Sequence, residues 1–339
     1  MHVGVCDFPA RYAFPPVGYA GIERWLWATA VGARRAGATV RLLGYQWRPE
    51  LAGDWNIDRV RLEDLTSRSQ LARLRDVGYD LLIAWHEYPA RPAWRRVWQT
   101  LDCDLAAFQH GTNMGHPAGT FDGVSSRLYC YSPEMMALYG DHQPRQELAV
   151  SQGLDEGEPP AKDGGDLMWV GRIDAVKAPH LAIMAAQRLG RRIRIAGPVF
   201  DAAYFERHRR LFTAAHVELV GEVGGAAKTA EFHRGQVFVY TCSRDYVEAG
   251  AAVFGEALRA GTPVAALAWR GGTCSEAALC AETGCVALVD PLDSDDGAAT
   301  AVAAAIEQAS TLRATAVQEI GMTRFEPARH FLALASRLG

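Results

Sequence analysis

Residues 237–264 read VFVYTCSRDYVEAGAAVFGEALRAGTPV, and their pattern decides how the rest of the chain is read. A β-branched and aromatic run, Val237 to Tyr240, predicts a buried strand. After a polar turn, the small-residue run Ala249-Gly250-Ala251-Ala252 is expected to open a helix that stops at Gly261 and Pro263. A strand that feeds a helix in this way is the unit of a parallel sheet. The first amides of such a helix lack internal partners and lie at the positive end of its dipole, so the tip suits a phosphate where no bulky side chain intervenes. Glu248 stands just before the helix, and Glu256 is expected one turn and more inside it. Carboxylates beside an anion site accept hydrogen bonds from hydroxyls and repel further anions, which points to a sugar and a phosphate bound together.

Working outward, the alternation of strand and helix runs the length of the chain. Strands are predicted at residues 2–6, 39–43, 81–85, 105–108 and 127–131, with helices at 22–35 and 92–101. The segment SQGLDEGEPPAKDGGD, 151–166, is too rich in glycine, proline and charge to build a core and reads as a linker. Beyond it the alternation restarts, with strands at 167–170, 193–195, 217–220, 264–267 and 285–288. Helices are expected at 177–189, 204–213, 298–309, 311–320 and 327–338. Repeated units of this kind make an α/β protein with two Rossmann-like domains, a first at 1–155 and a second at 156–321. Ligands of open parallel sheets bind at the carboxyl ends of the strands, so a cleft between the two sheets is the expected site.

Composition narrows the classes. The 339 residues are 22% charged and 49% hydrophobic with a formal net charge of −4, a balance that disfavours a general nucleic-acid binder. No apolar run reaches the roughly 18 residues of a membrane span, and nothing at the start reads as a signal peptide. Seven cysteines without a C-x-x-C pair fit a reducing, cytoplasmic setting. The basic and aromatic stretch RPAWRRVWQTL, 91–101, is of the kind found at membrane surfaces, a reading that the acidic chain disfavours.

The segment 237–264 resembles the Glu-x7-Glu pattern of family 4 retaining glycosyltransferases, with both acids and the closing glycine and proline in place. The aromatic and second glycine that usually follow the first acid are replaced by Ala249-Gly250-Ala251. The resemblance spans nearly the whole chain and implies the GT-B fold, with the last helix, from about residue 322, packed back on the first domain. It implies that Glu256 binds ribose hydroxyls, that Glu248 touches the transferred sugar, and that backbone near Gly250, Ala251 and Ala252 holds phosphate and sugar.

The second domain opens with VGRIDAVKAPH, 170–180. Arg172 follows a strand and Lys177 lies five residues on, so both can face one spot at the sheet's carboxyl end and neutralise a diphosphate. This resembles the G-R-x4-K-G element of the same family, with Ala178 in place of the last glycine. In the first domain, PPVGYAGIERW, 15–25, offers Gly21 as a point of close approach before a helix. It lacks the G-x-G-x-x-G spacing of a dinucleotide site, which disfavours a dehydrogenase. His110, in AAFQHGTNMGHP, emerges at a strand's end and resembles the histidine that sits near the anomeric carbon in the family, with His116 a weaker competitor.

Trp85, His86 and Glu87 end another strand and are candidates for acceptor contact. Seven of the nine tryptophans precede residue 100, where aromatic faces could wall an acceptor site or simply pack beneath helices. Asp293-Ser294-Asp295-Asp296 contains a D-x-D spacing, but its place before an Ala-rich helix reads as a cap rather than a metal site. The expectation is a retaining, metal-independent glycosyltransferase without a cofactor. Its donor would be a nucleoside diphosphate sugar and its acceptor a small soluble molecule such as a natural product or aminocyclitol. A phosphorylase, a sugar-nucleotide epimerase and a non-catalytic sugar-nucleotide-binding subunit are the alternatives.

Overall fold

Short apolar strands such as Leu81–Trp85 and Val264–Ala268 are buried almost throughout, and a strand buried on both faces needs helices above and below it. The computed structural model, which describes residues 1–65, 67–85, 88–112, 126–151, 158–161 and 165–336, has this layering in each of two units. Every strand pairing in it is parallel.

The first unit comprises Met1–Gln152 and Glu326–Gly339. Its strands are β1 (His2–Cys6), β2 (Thr39–Leu43), β3 (Asn56–Asp58), β4 (Leu81–Trp85), β5 (Asp104–Phe108), β6 (Ser126–Cys130) and β7 (Arg145–Gln146), in the spatial order 3-2-1-4-5-6-7. Val3 pairs with Val40 on one side and Leu81 on the other, which puts the carboxyl ends of β1, β2 and β4 on one edge. The helix Gly21–Arg35 lies against the helix Pro327–Ala335. Their approach is close, since a Cβ on Gly32 would meet the Pro327 carbonyl oxygen at 2.1 Å. His330 of the returning helix is buried, its Nδ1 3.8 Å from the Glu147 carboxylate.

The second unit, Gly153–Phe325, holds β8 (Asp166–Val170), β9 (Ile193–Ala196), β10 (Val217–Gly221), β11 (Gly235–Tyr240), β12 (Val264–Ala268) and β13 (Gly284–Leu288), in the order 10-9-8-11-12-13. Small residues let its backbones come together. A Cβ on Gly197 would fall 1.7 Å from the Gly171 carbonyl oxygen, and one on Gly255 would fall 2.9 Å from the ring of Phe325. The helix Asp295–Ala309 buries an alanine face against the helix Pro179–Arg188. The Ser294 hydroxyl caps its start by accepting from the Gly297 amide at 3.1 Å.

The differences from the expected elements are local. The units divide at 152/153 and the chain returns to the first at Glu326, a few residues from the expected 155 and 322. The helix expected from residue 177 begins at Pro179, and the one expected over 204–213 is two short pieces, Ala202–Arg207 and Arg209–Phe212, broken at His208. The short strands β3 and β7 were not anticipated; three and two residues carry too little periodicity to register. Most of the expected linker lies outside the described residues.

Candidate active site

The deciding stretch differs from its reading in one respect. The helix after β11 spans only Val253–Arg259, so Ala249–Ala252 form the approach to it and Glu256 stands in its first turn. Glycine and alanine without a capping side chain hold this approach loosely in sequence terms, and the loop is instead secured from outside. Arg270 donates to the backbone oxygens of Arg244 at 2.7 Å and Tyr246 at 2.9 Å, and the Trp269 indole donates to that of Cys242 at 2.7 Å.

Arg172 and Lys177 lie in the turn that follows β8. One carboxylate organises both, for Asp174 Oδ2 lies 3.2 Å from Arg172 Nε while Oδ1 accepts from the Lys177 amide at 2.8 Å. The Arg172 guanidinium also lies over the Phe200 ring, 4.7 Å from its centroid. The turn closes through Ala178, which takes the left-handed conformation with φ +45°. Thr241, at the end of β11, fastens it there: its hydroxyl donates to the carbonyls of Lys177 at 2.9 Å and Ala178 at 3.1 Å and accepts from the Trp169 indole at 3.0 Å. The Ser243 amide adds a bond of 2.9 Å to the Val176 carbonyl.

This stitching brings Lys177 onto Glu248, 71 residues away in sequence, and the two form an ion pair with side chains only 13% exposed. The Tyr240 hydroxyl donates to the same Glu248 oxygen at 2.9 Å and the Tyr246 hydroxyl to the other at 3.4 Å. The Lys177 ammonium lies 4.9 Å from the centre of the Tyr246 ring. Burial, then the charge of Glu248, raise the Tyr246 phenol, while Lys177 and Arg172 pull the other way, so both cations act on one ring. Tyr240 is raised well above the ordinary phenol by burial and the same carboxylate, so both hydroxyls stay protonated as donors. Glu256 points its carboxylate at Lys228, on the helix Gly225–Arg234, and forms a second buried ion pair.

In the first unit, His110 follows β5 and shares a hydrogen bond with the Tyr131 hydroxyl, 3.1 Å from Nδ1 and 3.3 Å from Nε2, with the Trp25 ring against it at 4.7 Å between centroids. Gly21 is the first residue of its helix and nothing in the protein lies within 4 Å of where its Cβ would be. Glu23, in the first turn, is buried and its carboxyl is raised by that burial. Trp85 packs on Phe8 at 4.9 Å, while His86, Glu87 and His116 lie outside the described residues. Trp25, Trp47 and Trp94 are almost wholly buried, so these three are core and offer no wall to an acceptor. Of the acids in the 293–296 run, Asp295 pairs with Arg244 at 2.9 Å and Asp296 with Arg188. Among the described residues no group of three or more His, Cys, Asp or Glu could hold a metal ion, and no helix is long and apolar enough to cross a membrane.

Residue-by-residue reading missed Asp174, Thr241, Tyr246 and Lys228. An aspartate three residues before Lys177 was a visible signal for a side chain that folds back on the backbone. The partners of Glu248 and Glu256 carry no such mark, because each lies on another element.

The comparisons with known proteins bear on the family and the fold. Residues 154–318 match the family model Glycosyl transferases group 1, a span that contains β8 through β13 together with Arg172, Lys177, Glu248 and Glu256. The matched domain and the two parallel sheets of the GT-B fold indicate a glycosyltransferase. Among solved structures the chain is similar to AviGT4, a glycosyltransferase involved in avilamycin A biosynthesis. The two are 21% identical, with 99% of this chain and 96% of that one covered and a TM-score of 0.74. It is also similar to Arabidopsis thaliana UGT89C1 complexed with UDP-L-rhamnose, at 13% identity, with 99% and 98% covered and a TM-score of 0.53. A Listeria monocytogenes protein described as a UDP-N-acetylglucosamine 2-epimerase shares the fold at 12% identity, with 99% and 94% covered and a TM-score of 0.50. No curated protein matches the chain in sequence.

Proposed function

We propose that the chain is a retaining, metal-independent glycosyltransferase of the family 4 type that takes its sugar from a nucleoside diphosphate sugar. The observation that carries this reading is the pair of cations, Arg172 and Lys177, oriented by one carboxylate at the carboxyl end of β8 and coupled through Lys177 to Glu248. Two fixed positive charges suit a diphosphate, and they supply the neutralisation that a divalent ion would otherwise provide. Glu248, held by two tyrosine hydroxyls and Lys177, has an acceptor-rich carboxylate for the hydroxyls of the transferred sugar. Glu256, set by Lys228, would take the ribose hydroxyls, and Gly250, Ala251 and Ala252 leave room for the donor to approach the backbone. In the first unit, Gly21 and His110 would meet the sugar, and Trp85, His86, Glu87 and His116 are the residues assigned to the acceptor.

As the bond between the anomeric carbon and the diphosphate oxygen breaks, negative charge grows on that oxygen. Arg172 and Lys177 stabilise it more than they stabilise the intact donor, which is what lowers a barrier. The acceptor oxygen then bonds to the anomeric carbon on the face the diphosphate leaves, and its proton passes to the departing phosphate oxygen. A small soluble acceptor is the proposed class. The test is a thermal-shift panel of nucleoside diphosphate sugars with and without chelator, because a ligand that binds only the folded state raises its stability. One donor that shifts the transition equally in both conditions is the expected result. Free nucleotide released in the absence of any acceptor would point instead to epimerase-like chemistry on the same fold.

A further inference from the structure

A second site lies wholly within the first unit, where β1, β2 and β3 end side by side. It is a cavity of about 450 Å³ walled by Val60 and Leu62 and carrying Asp7, Tyr45, Gln46 and Glu63. The carboxyl ends of adjacent parallel strands are where open α/β sheets take ligands, and a space of this size holds a single ring-sized molecule.

The cavity's chemistry turns on Asp7. Its side chain follows β1 and is only 3% exposed, and it occupies the space above Gly44, where a Cβ would lie 2.1 Å from its carboxyl. The Gln46 amide donates to Oδ2, which supplies a hydrogen bond but no positive charge. Among the described residues Asp7 makes no ion pair. Arg59 attracts it from a distance but donates its own Nη1 to the Tyr45 carbonyl at 3.0 Å, and Glu63 repels it. A buried carboxylate without a cation is costly, and here a second carboxylate at the mouth raises that cost. What Asp7 lacks, among the described residues, is a cation in contact with it. Arg61, at the exposed rim, has a guanidinium fixed to the chain; a ligand ammonium is compact enough to enter.

We infer that this cavity binds a small cyclic polyol bearing an amino group, its ammonium between Asp7 and Glu63, its hydroxyls on Gln46 and Tyr45, and its ring face on Val60 and Leu62. The site would be where the acceptor's amino-bearing ring is held, next to Trp85, which packs on Phe8 beside Asp7; this rests on the glycosyl-transfer reading above, though binding itself does not. A neutral polyol would satisfy the hydrogen bonds and leave the charge unmet.

The test uses two matched probes, an inosamine and the inositol that carries a hydroxyl in place of its amine, titrated calorimetrically into the full-length chain at pH 8. The inosamine is expected to bind at least tenfold tighter. Asp7→Asn, which keeps the shape and an acceptor oxygen, should abolish that preference, and the exposed Glu63→Gln should reduce it severalfold. Equal affinity for the two probes, no binding of either, or a preference that survives Asp7→Asn would overturn the inference. The donor panel on the same samples separates the two claims. A donor shift without amine preference removes this site and spares the transferase reading, whereas amine preference in a chain that no donor shifts keeps the site and removes that reading.

Discussion

Lys177 and Glu248 form a buried ion pair that joins the turn after β8 to the loop after β11, and two tyrosine hydroxyls complete the coordination of the glutamate. A pair of this kind adds little net stability, but removing one partner strands the other. Lys177→Met should therefore lower thermal stability, by about 3 kcal/mol for an uncompensated buried charge. It should also reduce turnover by about a hundredfold or more through the loss of one transition-state donor. Denaturant unfolding and steady-state kinetics separate the two effects, and restoring neutrality with Glu248→Gln in the same chain should recover much of the stability without the activity.

Ala178 offers a gain in the opposite direction. Its φ of +45° is a conformation that costs an L-residue about 1 kcal/mol or more, and Pro179 after it restricts the backbone further. Ala178→Gly should raise stability by up to about 1 kcal/mol, the strain relieved being set against glycine's greater freedom when unfolded. A lower denaturation midpoint would show that the buried methyl matters more than the backbone.

Gly197 has no such latitude. At 1.7 Å from the Gly171 carbonyl oxygen, an added Cβ must push β9 away from the turn that carries Arg172. Gly197→Ala is expected to cost about 3 kcal/mol or more and to lower turnover along with stability. Retained activity at full stability would mean that the turn tolerates the displacement.

Asp7 predicts a pH dependence with an unusual sign. Burial raises its carboxyl from 3.8 to about 7, so the folded chain keeps a proton that the unfolded chain has lost. The stability that this group contributes is present at low pH and is lost as pH rises through about 7. Asp7→Asn is free of that loss, so its stability relative to the unaltered chain should grow by about 3 kcal/mol between pH 5 and pH 8.5. Parallel unfolding curves at the two pH values would contradict the assignment.

How much of this was legible in the sequence follows the range of each interaction. β1, β2 and β4 could be bounded to the residue, because short runs rich in apolar and β-branched residues between turn signals leave little choice. The spacing of Arg172 and Lys177 placed both on one turn, since their separation is local. Ala178 was visible as a departure from glycine, and the structure shows what the glycine is for. The start of the helix at Val253 was missed because alanines favour a helix equally well on either side of the true boundary. The pairs Lys177–Glu248 and Lys228–Glu256 join residues 71 and 28 apart, and no periodicity records such a meeting. Asp7 looked like any polar residue after a strand; its burial without an ion pair among the described residues is what gives it meaning.

On the proposed reading, Arg172 and Lys177 together hold the donor's diphosphate. Calorimetric titration of the nucleoside diphosphate selected by the donor panel, into the unaltered chain and into Arg172→Ala and Lys177→Ala, measures it directly. At least a tenfold loss of affinity in each variant is the predicted result; a diphosphate that binds all three proteins equally well would contradict it.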